Sequence, residues 1–80
     1  MTETEILSKL TGIFRDVFDD ETLVARPEMT AHEVDRWDSL SHMDMILLVE
    51  EAFGIRFRTR EIVDLMNVGD LVRLIGIRAH

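Results

Sequence analysis

Cysteine is absent from this chain of 80 residues, so no disulfide can staple it and no thiolate can serve as nucleophile or zinc ligand. Its three histidines, His32, His42 and His80, show no ligand spacing, and no metal site is expected. At this size a single core is marginal without disulfides or a metal, which leaves efficient helix packing to supply stability. Long apolar runs are also missing. The longest, Met45-Ile46-Leu47-Leu48-Val49, is far shorter than the roughly 20 residues a membrane span needs. The start, Met1-Thr2-Glu3-Thr4-Glu5, has the wrong charge for a signal peptide, so a soluble cytoplasmic protein without membrane insertion is expected.

Basic residues are scarce: 9 lysines and arginines face 16 acids, giving a net charge of −7. The imbalance is local. Residues 1–55 hold 13 acids and 4 bases, whereas residues 56–80 hold 3 acids and 5 bases. Such an acidic body repels nucleic acid and anionic lipid and suits partners with basic surfaces.

What is present is helical periodicity. From Thr4 to Phe18, Ile6, Leu7, Leu10, Ile13, Phe14, Val17 and Phe18 recur in steps of three and four. Thr2 and Glu5 have capping-box spacing at its start, and Gly12 weakens its interior by about 1 kcal/mol relative to Ala. Between Asp19 and Trp37 the periodicity lapses into a long loop, with one helical turn predicted over Ala31 to Val34 behind a Thr30/Glu33 box. The acidic run Asp19-Asp20-Glu21 reads as solvated loop.

A second helix is predicted from Ser39 to Phe53, capped by Asp38 and ended by Gly54. Met45, Ile46, Val49 and Phe53 fall on one side as core. Leu40, Asp44, Leu47, Leu48 and Glu51 form an opposite stripe mixing large apolar side chains with carboxylates. Exposed apolar groups rimmed by charge suggest a docking surface. A short third helix is predicted from Arg60 to Met66 with Thr59 as cap, and a fourth from Val68 to about Arg78 with Asn67 as cap. Val68, Leu71, Val72, Leu74 and Ile75 form its buried stripe. With no repeat or second domain visible, the expectation is one all-α domain over 1–80, a small four-helix bundle with a long loop between helices 1 and 2.

Asp38-Ser39-Leu40 opening a helix that carries Asp44, Glu50 and Glu51 and ends Phe53-Gly54-Ile55, followed by Glu61-Ile62 and Asn67-Val68-Gly69-Asp70-Leu71, resembles the acyl carrier proteins over nearly the whole chain. The resemblance implies that Ser39 receives a 4′-phosphopantetheine arm from coenzyme A through a separate phosphopantetheinyl transferase. It also implies a carrier, with no catalytic residues, that holds acyl groups as thioesters on that arm. Asp38 and Leu40 flank the attachment point. Leu40, Asp44, Leu47, Leu48 and Glu51 would then dock acyl-loading and acyl-processing enzymes with basic surfaces, the carrier itself being a monomer. His42, Met43, Met45, Ile46 and Met66 are the expected cargo pocket.

Of these, His42 is expected to be satisfied by loop backbone, with a sensor of cargo polarity as the sharper reading. Met43, Met45 and Met66 are expected as adaptable core filler. Trp37 is expected as a lid over the loop's apolar residues. It stands where many family members have glycine, Ser41 replaces a frequent acid, and Arg56, Arg58 and Arg60 occupy a segment often kept acidic. These departures point away from bulk fatty acid synthesis towards a specialised polyketide, lipid or other secondary metabolite pathway. An aminoacyl or peptidyl carrier with the same arm, and an unmodified helical interaction module, remain the alternatives.

Overall fold

A computed structural model describes residues 2–34 and 36–78, so His80 lies outside the described residues. Four helices follow in order: α1 (Glu3–Val17), α2 (Ser39–Phe53), α3 (Thr59–Val63) and α4 (Val68–Arg78). One 3-10 turn, Ala31–Glu33, interrupts the long connection between α1 and α2. No strand occurs among the described residues, and no described helix is long and apolar enough to cross a membrane.

α1 is the central element and packs against both α2 and α4. Its buried residues Ile6, Leu10 and Phe14, continued by Phe18, lie four apart and so form one stripe on the helix. Against this stripe lie Met45, Ile46 and Val49 of α2 and Val68, Leu71, Val72 and Ile75 of α4. Leu74 is only half-buried. At the N-terminus of α1 the Thr2 hydroxyl accepts from the Glu5 N–H at 3.2 Å and donates to the Glu5 carboxylate at 3.1 Å. The helix ends at Val17 with Phe18 as its cap, and Asp19 beyond it takes the left-handed conformation at φ 50°, a region that Asp tolerates better than most side chains.

The long loop is anchored at both edges. The Thr11 hydroxyl accepts from the Ala25 N–H at 3.0 Å, and Arg15 donates to the Leu23 carbonyl at 2.7 Å. Carbonyls of Met29 and Pro27 accept from the N–H groups of Val68 and Gly69 at 2.9 and 2.7 Å. The loop therefore closes the N-terminus of α4, satisfying donors that a helix start leaves open. Gly69 suits that approach, because a Cβ there would meet the Pro27 oxygen at 3.0 Å, a tight contact that the loop backbone would have to ease. Ala25, Met29 and Val34 complete the core from the loop side, while Val24 is exposed.

α3 departs from the sequence expectation at both ends. Thr59 is its first residue instead of its cap, Arg58 precedes it as cap, and the helix stops at Val63. The capping contact comes from Glu61, whose carboxylate accepts the Arg58 N–H at 2.9 Å. The same carboxylate takes both of its oxygens to Arg78 at 2.6 Å, and Arg78 also donates to the Arg56 carbonyl at 2.7 Å. The short helix is thus pinned to the end of α4.

Candidate functional site

The start of α2 is set by local chemistry. Asp38 has extended backbone, and its carboxylate accepts from the Ser41 N–H at 2.8 Å, closing the first turn. That backbone N–H is the main reason the Asp38 carboxyl is held below the usual carboxylate range. Two serines then share one turn with different commitments. Ser41 is half-buried and its hydroxyl donates to the Arg36 carbonyl at 2.7 Å. Ser39 is exposed, and its hydroxyl makes no hydrogen bond with any other described residue. Of these two serines, Ser39 is the more accessible.

On the outward face, Leu40, Leu47 and Leu48 are 74, 59 and 39% exposed, and Asp44 and Glu51 are exposed beside them. Glu50 is turned away from this stripe, its carboxylate accepting the Phe57 N–H at 2.8 Å. The α2 helix ends at Gly54, which takes φ 65° and passes its N–H to the Glu50 carbonyl.

Inward of Ser39 lies a cleft of about 80 Å³ lined by Ala31, Trp37, His42, Met45, Leu65, Met66, Asn67 and Leu71. Of the residues expected to form a pocket, His42, Met45 and Met66 meet here. Met43 does not: it is 45% exposed, and it lies outside the lining. Ile46 is absent from the lining too, because it is turned fully into the packed core. Met66 was expected inside the core but is 76% exposed, because α3 stops at Val63 and leaves the following chain at the rim of the cleft.

His42 has a partner that sequence reasoning missed. Its Nδ1 accepts from the Trp37 indole N–H at 3.0 Å, and the rings stack at 22° with centroids 6.0 Å apart. A side chain, not loop backbone, satisfies it. Trp37 in turn packs on Phe14 and Phe18, with centroids 5.5 and 5.2 Å away. The pairing of positions 37 and 42 spans a helix cap, where no periodicity signals it. His32 sits exposed on the 3-10 turn, and no group of three or more metal-ligating side chains comes together among the described residues.

Fold and site together define a small all-helical domain with an accessible serine at a helix start and a cleft beside it. Residues 4–75 match the family of the phosphopantetheine attachment site. The chain is 32% identical over 72 residues to acyl carrier protein 2 of Ralstonia nicotianae, spanning 90% of this chain and 89% of that one. It is 33% identical over 76 residues to the acyl carrier protein of Acidothermus cellulolyticus, spanning 95 and 90%. The solution structure of a holo acyl carrier protein from Geobacter metallireducens superposes with a TM-score of 0.85 at 45% identity, covering 91% of this chain and 84% of that one. The chain belongs to the acyl carrier protein family, whose members are carriers and not catalysts and bear a covalently attached phosphopantetheine. The start of α2 fits that group: the Ser39 hydroxyl is open, and a helix N-terminus favours the charge of a phosphodiester.

Proposed function

We propose that Ser39 is the attachment residue, that a phosphopantetheinyl transferase modifies it from coenzyme A, and that partner enzymes dock on α2. The observation carrying this reading is the contrast between the uncommitted Ser39 hydroxyl and the Ser41 hydroxyl tied to the Arg36 carbonyl two residues on. Ser39 supplies an ester oxygen, and Asp38 holds the first turn that presents it. When bound, phosphopantetheine supplies the terminal thiol that carries an acyl group as a thioester; the chain itself, without cysteine, has no competing thiol. Leu40, Leu47 and Leu48 offer apolar area to a partner, and Asp44 and Glu51 offer charge to its basic residues.

The pathway we assign is a specialised one, making a polyketide, lipid or other secondary metabolite in the cytoplasm. Its support is the departure of Trp37, Ser41 and the Arg56, Arg58 and Arg60 cluster from the common pattern, and Trp37 is built into the cleft rather than lying idle on the surface. Incubation with coenzyme A and a broad-specificity transferase, followed by intact mass measurement, tests the attachment. One phosphopantetheine is expected on the native chain and on Ser41→Ala, and none on Ser39→Ala. A modified Ser39→Ala chain would overturn the assignment. Loading by acyl-activating but not amino-acid-activating enzymes is then expected.

A further inference from the structure

We infer that Trp37 locks His42 into one tautomer so that His42 reads an oxygen on the cargo, making the cleft selective for a short acyl chain bearing a hydroxyl or keto group. This rests on the carrier reading above. An indole N–H can only donate, so the His42 Nδ1 found 3.0 Å from it must be the unprotonated, accepting nitrogen. The ring's proton is then on Nε2, and His42 offers the cleft a donor. Trp37 is fixed by the Phe14 and Phe18 rings beneath it, so the core and not the solvent sets this orientation.

The rest of the lining matches. Asn67 commits its side-chain oxygen to the Asp70 N–H at 2.9 Å, which leaves its amide NH2 as a second donor. Met45, Leu65 and Met66 supply apolar walls, two of them methionines that adjust shape at little cost. A cleft with apolar walls and two donors favours a guest with a short carbon chain and an acceptor oxygen. Size sets the length. The cleft holds about 80 Å³. A dry apolar cavity of about 150 Å³ accommodates benzene, so about half that volume suits about three or four carbons. Trp37 lies two residues before Ser39 and His42 three after it, so the lining begins on the very turn that bears the attachment point.

The test loads the phosphopantetheine form of the full chain with butyryl or 3-hydroxybutyryl groups. Imidazole nitrogen resonances of His42 and the lifetime of each thioester towards hydrolysis are then compared. Before loading, His42 is expected to be protonated on Nε2; Trp37→Phe, which keeps a ring but removes the N–H, is expected to yield a tautomer mixture. After loading, the hydroxyacyl thioester is expected to outlast the butyryl thioester several-fold, up to about tenfold, and to shift the Nε2 resonance more. His42→Phe is expected to lose the difference between the two cargoes, and His42→Gln, which retains a donor, to recover part of it. Protonation on Nδ1 in the native chain, or equal lifetimes and equal shifts for the two cargoes, would overturn the inference while leaving the carrier reading intact. Failure of Ser39 to accept phosphopantetheine at all would overturn both.

Discussion

Asp38 shows how one side chain at the edge of the site links pH to stability. The Ser41 N–H lowers its carboxyl in the folded chain, as the Thr22 hydroxyl does for Asp20 and the Arg58 N–H for Glu61. A carboxyl depressed by folding adds stability that is fully present above its unfolded value, near pH 4, and is lost as pH falls through the folded value. Unfolding midpoints in urea are therefore expected to be flat from about pH 7 to 5 and to fall below about pH 4, with a shallower fall in Asp38→Asn. An equally steep acid limb in that variant would remove Asp38 from the account. Asp38 and Gly54 were both legible in the sequence, because a cap oxygen and a left-handed terminus are demands that a few residue types meet within one turn. The Trp37 to His42 hydrogen bond was not, since it depends on the phenylalanine shelf under Trp37.

Individual helices differ in how much of their order is their own. α1 carries its stripe internally, and its boundaries fell within a residue of the periodicity. Its interior Gly12 is exposed with open space around it, so Gly12→Ala is expected to stabilise the chain by about 0.5–1 kcal/mol, read as a higher urea midpoint at unchanged slope. Phe14→Ala, removing a fully buried ring that also supports Phe18 and Trp37, is expected to cost about 3–5 kcal/mol. α3 is the opposite case. Five residues are too few to hold a helix by themselves, and its position rests on Glu61, Arg78 and the Arg56 carbonyl. Those partners lie 17 and 22 residues apart, which is why the sequence placed the helix too late and too long. Arg78→Met is expected to speed amide hydrogen exchange in residues 59–66 while core amides of α1 keep their protection.

Across the whole molecule, charge and exposed apolar area are segregated in a way that should govern association. The acid excess belongs to the first 55 residues, and on α2 it surrounds three partly or largely exposed leucines. On α2 Glu50 is spent on the Phe57 N–H, which leaves the exposed Asp44 and Glu51 as the charges we propose to meet a partner. Long-range attraction of this kind speeds encounter and is screened by salt, the Debye length shrinking from about 10 Å at 0.1 M to about 3 Å at 1 M. Apolar contacts made after encounter are not screened and act on the rate of dissociation. Two variants should therefore separate the two contributions in binding to a transferase. Glu51→Lys is expected to slow association several-fold at low salt, with the deficit closing as salt rises. Leu47→Ala is expected to leave association nearly unchanged and to hasten dissociation at every salt concentration. Stopped-flow association and surface-immobilised dissociation measurements read the two rates apart. If Glu51→Lys behaved like the native chain at low salt, the partner would have to approach from another face, and the basic segment around Arg56, Arg58 and Arg60 would be the next surface to reverse.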